Sequence, residues 1–154
     1  MSKAASLPFT YNPETGEMRD IFGKKAHRSG HGYMRLKVFG ELHYVHRLAW
    51  LYMTGKWPAV HIDHKDMDGE NNRWSNLREA THQENLMNRT ANKNNTSGMK
   101  GVSLDRTNTS NPWRARITIN GKEIGLGSYP TKEMAQKAYL EKAGELFGEF
   151  ARGQ

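Results

Sequence analysis

The sequence predicts an α+β protein made of two small modules, each a set of short strands completed by a helix. Three observations predict it. Short alternating runs broken by Gly, Pro and Asn recur through residues 7–45 and 99–129. Two segments with helical character, "THQENLMNRT" and "TKEMAQKAYLEKAGELFG", each follow a group of strands. Between the modules, "ANKNNTSG" at 91–98 holds no apolar residue beyond alanine and reads as a linker. The expected domains are therefore 1–90 and 99–154, joined by 91–98. With 154 residues and 36% hydrophobic content, no single large core is expected, and small modules of this kind gain stability from a bound metal or DNA.

The elements follow in order. "YNPETGEMRD" carries Asn-Pro and Thr-Gly turn signals, and "GYMRLKVFGELHYV" alternates on either side of Phe39-Gly40. "HRLAWLYMTG" places Leu48, Trp50, Leu51 and Tyr52 in a helix-like run closed by Gly55 and Pro58. Residues 59–90 are densely polar and end in a helix, with Thr81 as the candidate N-cap. "KGVSLD", "WRARITIN" and "EIGLGSY" then read as strands, with Asn120-Gly121 as a tight-hairpin signal between the last two. The final helix carries Ala135, Ala138, Tyr139, Lys142, Ala143 and Leu146 on one face, with Thr131 as its N-cap.

The formal net charge of +7 favours a polyanionic partner. Nucleic acid is preferred to a membrane, because the sequence shows no basic amphipathic helix and no long apolar run; neither a signal peptide nor a spanning segment is expected. Cysteine is absent, which excludes disulfides, a Cys-ligated zinc and a thiol nucleophile, and fits a reducing cytosol.

Residues 60–78, "VHIDHKDMDGENNRWSNLR", could form a solvated loop, a metal site or a turn-rich hairpin. Asp63 offers a hard carboxylate oxygen and Asn85 an amide oxygen. Such donors suit Mg²⁺ or Mn²⁺ better than zinc, with water and phosphate completing the shell. His64 titrates near pH 6.5 when unperturbed, so it can serve as a general base on water beside the ion. Asp66, Asp68, Asn71 and Asn72 read as loop formers, since Asp and Asn favour turns for backbone reasons. A calcium loop does not fit, because Arg73-Trp74 stand where its closing glutamate is due. His61 shares the strand face of Asp63 but reads better as a packed or phosphate-contacting residue than as a ligand. His46 and Arg47 open a helix, where burial competes with phosphate contact. His27, His31, His43 and Tyr44 carry no signal.

"HIDHKDMDGENNRWSNLREATHQENLMN" resembles the HNH endonuclease family, in its branch of phage and intron-associated homing endonucleases. The upstream "HRLAW" is also typical of that branch. The resemblance covers roughly residues 7–90 and implies a ββα-metal fold. It implies Asp63 and Asn85 as ligands of one Mg²⁺ or Mn²⁺ ion per active site. It makes His64 the general base and Asn76 the central asparagine that braces the loop. The spacings of 12 residues from His64 to Asn76 and 21 to Asn85 suit this branch, in which a final Asn is a common variant.

In 97–154, nine basic residues face six acidic ones. On "WRARITIN", alternation puts Arg114, Arg116 and Thr118 on one face and Trp113, Ala115, Ile117 and Ile119 on the other. Such a basic sheet face can enter the major groove, or can be an ordinary solvated face. The segment "SGMKGVSLD…WRARITINGKEIGLGSYPTKEMAQKAYLEKAGELFGEFA" resembles the AP2/ERF DNA-binding domain. That resemblance implies a three-stranded sheet packed on one helix, with Lys100, Gly101, Ser103, Arg116, Thr118 and Gly125 at contact positions. Ser103, Thr118 and Gly125 are smaller than the plant residues, so plant site preference is not carried over. Arg106, Arg114 and Lys122 add basic candidates, and Arg89 and Lys93 are candidate phosphate contacts around the linker.

Together these readings imply a site-preferring, metal-dependent DNA endonuclease of the free-standing phage type, acting in the cytoplasm of a phage-infected or bacterial host cell. Its partner is double-stranded DNA, with no membrane and no small-molecule substrate. One site per chain implies a nick from a monomer or a double-strand break from a homodimer. The alternatives are a non-catalytic DNA-binding protein with a degenerate HNH module, and an RNA-directed or structural nucleic-acid protein.

Overall fold

Strand pairing in the chain is antiparallel throughout the described residues, which are 7–89, 91 and 94–151 of a computed structural model. Two compact units divide the chain, Met1–Thr81 and His82–Gln154. The division falls one helix earlier than the linker at 91–98 that composition suggests. Helix α2 (His82–Asn88) groups with the second unit because its Met87 is buried there, with its Sδ accepting from Tyr139 Oη at 3.9 Å.

The first unit opens with a hairpin of β1 (Phe9–Tyr11) and β2 (Met18–Asp20). Its turn is shaped by Asn12, whose Oδ1 accepts from the Glu14 and Thr15 amides at 2.9 and 3.2 Å. A three-stranded sheet follows from β3 (His27–Arg28), β4 (Met34–Val38) and β5 (Glu41–Tyr44), in spatial order β3-β4-β5. Phe39 and Gly40 turn β4 into β5 with φ of 55° and 80°, the left-handed pair that a two-residue hairpin needs. Helix α1 (Val45–Thr54) ends at Gly55, whose amide donates to the Leu51 carbonyl at 2.8 Å. Phe9, Met18, Leu36, Val45, Leu48 and Ala49 are almost wholly buried and form the centre of one core. Strands β6 (His61–His64) and β7 (Leu77–Ala80) complete the unit as a second hairpin, in which Asp63 pairs with Arg78 and His64 with Leu77.

In the second unit, β8 (Val102–Leu104), β9 (Trp113–Ile119) and β10 (Lys122–Tyr129) form a sheet ordered β10-β9-β8. Asn120 and Gly121 turn β9 into β10 with φ of 50° and 76°. Helix α3 (Lys132–Phe147) packs on this sheet, and Thr131 caps it by accepting from the Met134 amide at 3.2 Å. Its inward face is Ala135, Tyr139 and Ala143, extended by Phe147; Leu146, expected on that face, is exposed. Residues 95–99 form a bonded turn: Asn95 Oδ1 accepts from the Ser97 and Gly98 amides, and Ser97 Oγ donates to the Val102 carbonyl. This part of the expected linker is therefore a built turn. Among the described residues, no helix is long and apolar enough to cross a membrane.

Candidate active site and DNA-binding face

The β6–β7 hairpin sets the geometry of the first site. Both Asp63 and His64 are buried, at 5% and 4% exposure. Arg78, directly across on β7, holds Asp63 through Oδ2, with Nε and Nη2 each at 3.0 Å. Both partners of this ion pair are nearly desolvated, so the pair orients the carboxylate rather than simply adding stability.

Between the strands, residues 65–76 form a loop closed by its own side chains. Asp66 Oδ1 accepts from the Asp68 amide and from Asn76 Nδ2, both at 2.9 Å, and Oδ2 accepts from Asn71 Nδ2 at 2.6 Å. Partial burial pushes the Asp66 pKa up, but these donors outweigh it and hold the carboxyl below its ordinary value. Asn76 Nδ2 also donates to the Asn71 carbonyl at 2.8 Å, and its Oδ1 accepts from the Asp66 amide at 3.2 Å. Asn76 thus ties both ends of the loop. Asp66, Asp68 and Asn71 shape the backbone, as their turn chemistry predicts.

His64 faces Asn72, with Nε2 and Oδ1 3.2 Å apart. Tyr33 and His46 pack on its ring, with centroids at 5.8 and 5.2 Å. Burial lowers the His64 pKa, opposed by Asn72 and by the carboxylates of Asp66, Asp63 and Asp68, so the imidazole is neutral at pH 7. His46 is brought down to about 3, by burial and then by His64 and Arg47. It stacks on Tyr44, whose hydroxyl accepts from Arg35. Sequence reading left Tyr44 without a signal and placed Asn72 only in the loop. Arg78 was also missed; only the register of the hairpin could have revealed it.

Asn85 lies half-buried on α2, in the second unit. A carboxylate and an amide oxygen are hard donors, and that chemistry fits Mg²⁺ or Mn²⁺. Among the described residues, no group of three or more His, Cys, Asp or Glu is gathered to hold a metal.

The second unit distributes its basic candidates unevenly. Arg114, Arg116 and Thr118 are exposed on β9, while Ala115 and Ile117 are buried behind them. Ser103 lies opposite Arg114. Arg106 is exposed in the loop after β8, and Arg89 is exposed just after α2. Arg114 pairs with Asp105 at 3.2 Å and Arg116 with Glu123 at 3.1 Å. Glu123 lies across from Thr118, so an acid stands on the basic face itself.

Lys122, in contrast, lies across from Ile119. Cross-strand partners share a face, so it belongs with the side opposite Arg116. Lys100 uses its ammonium on the carbonyls of Leu86, Met87 and Arg89, at 3.0, 2.7 and 2.9 Å. It caps the C-terminal end of α2, where burial and the Arg89 charge bring its pKa down to about 8. An ammonium has three N–H donors, so this one is engaged internally rather than offered to a phosphate. Gly101 is required by packing: a Cβ would lie 2.2 Å from the Tyr139 ring, at φ +72°. Lys93 lies outside the described residues.

Known proteins are similar to this chain in sequence. A family model described as HNH endonuclease matches residues 43–87. An uncharacterized HNH endonuclease, L560, of Acanthamoeba polyphaga mimivirus is 39% identical over 109 residues, or 70% of this chain. The match spans only 54% of that relative, about half its length. Protein 3.8 of Escherichia phage T7 is 35% identical over 108 residues, covering 70% of this chain and 87% of that protein. A solved structure of DNA binding and cleavage by the HNH homing endonuclease I-HmuI aligns with 93% of this chain and 81% of that one, at 25% identity and a TM-score of 0.44.

Proposed function

We propose, from the match of residues 43–87 to the HNH endonuclease family, that the protein is a divalent-metal-dependent enzyme that hydrolyses phosphodiester bonds of double-stranded DNA at preferred sites. One observation carries the reading. A buried, neutral histidine stands next in sequence to a buried carboxylate, above a loop that is hydrogen-bonded from end to end. Buried polar groups are costly unless satisfied, and networks of this kind gather where chemistry is done.

In this mechanism His64 accepts the proton of the attacking water, and Asn76 keeps the loop closed around it. Arg78 fixes the orientation of Asp63. Asp63 and Asn85 are the residues that would hold the single Mg²⁺ or Mn²⁺ ion, which when bound supplies positive charge for the scissile phosphate. The second unit, with the AP2/ERF resemblance, supplies the grip on DNA through Arg114, Arg116, Thr118, Ser103 and Arg106, and so raises the local concentration of the nuclease at its site. Arg116 exchanges its exposed Glu123 partner for phosphate, an exchange of small cost because surface ion pairs are weak, and Arg114 does the same with the largely covered Asp105. The proposed enzyme is free-standing and of the phage type, a nicking monomer or a double-strand-cutting dimer; the viral origin of the two relatives supports its acting in the cytoplasm of a host cell.

The ion pair of Asp63 with Arg78 favours a second reading, a DNA-binding protein in which the carboxylate is purely structural. Supercoiled plasmid incubated with the protein and Mg²⁺ or Mn²⁺ separates the two. We expect conversion to open-circular or linear DNA, blocked by EDTA and abolished in His64→Ala. DNA retained in a gel shift but uncut with every divalent ion would establish the second reading.

A further inference from the structure

We propose that Gln83 and Lys100 are positioning residues of the nuclease: they pin the two ends of helix α2 within the second unit and so set Asn85, the candidate metal ligand that α2 carries. The inference rests on the reading of Asn85 as a ligand and assigns the side chains that hold it in place.

Helix α2 has seven residues, and a helix this short does not keep its shape in water without tertiary anchors. The second unit supplies them. Gln83, in the first turn, is held through both atoms of its amide. Its Nε2 donates to the Thr118 carbonyl at 3.0 Å, and its Oε1 accepts from the Asn120 amide at 3.2 Å, at the turn between β9 and β10. Met87 is buried, with its Sδ 3.9 Å from the Tyr139 hydroxyl. Residues four apart share a helix face, so Gln83 and Met87 define the docked side. Asn85 is two positions from each, and the helical repeat puts it roughly 160° round the axis from that side. Docking α2 through Gln83 and Met87 therefore leaves the Asn85 amide on the opposite face.

Lys100 holds the other end. A helix leaves its last carbonyls without intrahelical partners, and its dipole puts partial negative charge on them. The bonds from Lys100 Nζ to the Leu86, Met87 and Arg89 carbonyls answer both needs, and they engage all three N–H groups of the ammonium. The backbone that carries Lys100 is itself fixed. The next residue, Gly101, accepts from the Arg116 amide at 2.8 Å, and its α-carbon lies against the Tyr139 ring, the same ring whose hydroxyl meets Met87. Lys100 stands where the AP2/ERF resemblance places a DNA contact, yet its donors serve the helix that carries Asn85.

The test compares the full-length protein with Lys100→Met, which keeps the apolar stem and removes the donors, and with Gln83→Ala, whose lost contacts are exposed. Hydrogen exchange of the α2 amides should be faster in both. Titration with Mn²⁺ alone, followed by electron paramagnetic resonance, should show binding weakened roughly 10- to 100-fold, the range typical of groups that orient a metal ligand. Plasmid cleavage should fall in parallel and recover at high Mn²⁺, while the salt dependence of DNA retention stays as in the unaltered protein. Unchanged Mn²⁺ affinity in Gln83→Ala, or in a folded Lys100→Met, overturns the proposal. A salt slope reduced by about 1 in Lys100→Met also overturns it, because Lys100 would then be a phosphate contact. Asn85→Ala separates the two kinds of failure. If it weakens Mn²⁺ binding and the other variants do not, the proposal alone falls; if it leaves Mn²⁺ binding unchanged, the reading of Asn85 as a ligand falls and takes the proposal with it.

Discussion

The two units treat the polar side chains of their candidate sites in opposite ways. The first buries His46, Asp63, His64, Asn72 and Arg78, each at 9% exposure or less. The second leaves Arg114, Arg116 and Glu123 at the surface, in ion pairs whose arginines are at least half exposed. Burying polar groups costs stability unless every donor and acceptor is matched, and it yields fixed geometry in return. Exposed ion pairs contribute little and exchange partners easily. On the proposed reading, the contrast separates a unit that holds a rigid reacting centre from one that exchanges carboxylates for phosphates.

The strongest way to break the contrast uses a pair of glycines. Gly16 and Gly101 both have left-handed φ, and a Cβ on either would lie under 3 Å from its neighbours. Each Gly→Ala should cost its own unit about 2–4 kcal/mol, from backbone strain and overpacking. Gly16→Ala should lose plasmid cleavage while gel-shift retention survives; Gly101→Ala should lose retention. Thermal unfolding with both assays would show whether the damage stays within one unit.

Acid should distinguish the units next. The folded pKa of His46 is lowered to about 3 from 6.5, so below pH 6.5 the unfolded chain binds a proton that the native state refuses. Stability from this group is full above pH 6.5 and falls as pH drops towards 3, by about 2 kcal/mol already at pH 5. Urea unfolding at pH 7 and pH 5 should show that loss, and His46→Phe should flatten it. An equal loss in the variant would clear His46 of the effect.

The smallest effects belong to the basic face. Arg116→Ala should weaken DNA binding and reduce the slope of log K against log salt by about 1. Glu123→Gln removes the carboxylate beside Arg116 and should strengthen binding, by less than about 1 kcal/mol. Titrations at two salt concentrations measure both; an unchanged slope in Arg116→Ala would remove that residue from the contact set.

The sequence made periodic and turn-driven features legible. The hairpins at Phe39-Gly40 and Asn120-Gly121, the Gly55 stop of α1, the Thr131 cap and the alternation of β9 all follow from local chemistry. Features that depend on register or on distant segments were not. Arg78 meets Asp63 only because β7 pairs with β6 in one register, and Lys122 leaves the basic face for the same kind of reason. Tyr11 reaches Asn72 across 61 positions, and Lys100 finds the end of α2 only once the second unit is folded. In the loop, Asn72 and Asn76 are the same residue type four positions apart. Only three-dimensional contacts assign one to the ring and the other to the backbone.

The most direct measurement follows binding and cleavage of one plasmid in the same reactions, for the unaltered protein, His64→Ala and Arg116→Ala with Mg²⁺. The account predicts that His64→Ala retains DNA and leaves it supercoiled, whereas Arg116→Ala retains DNA more weakly, by a margin that narrows as salt rises, and still cuts at high protein concentration. Cleavage by His64→Ala at the unaltered rate would contradict it.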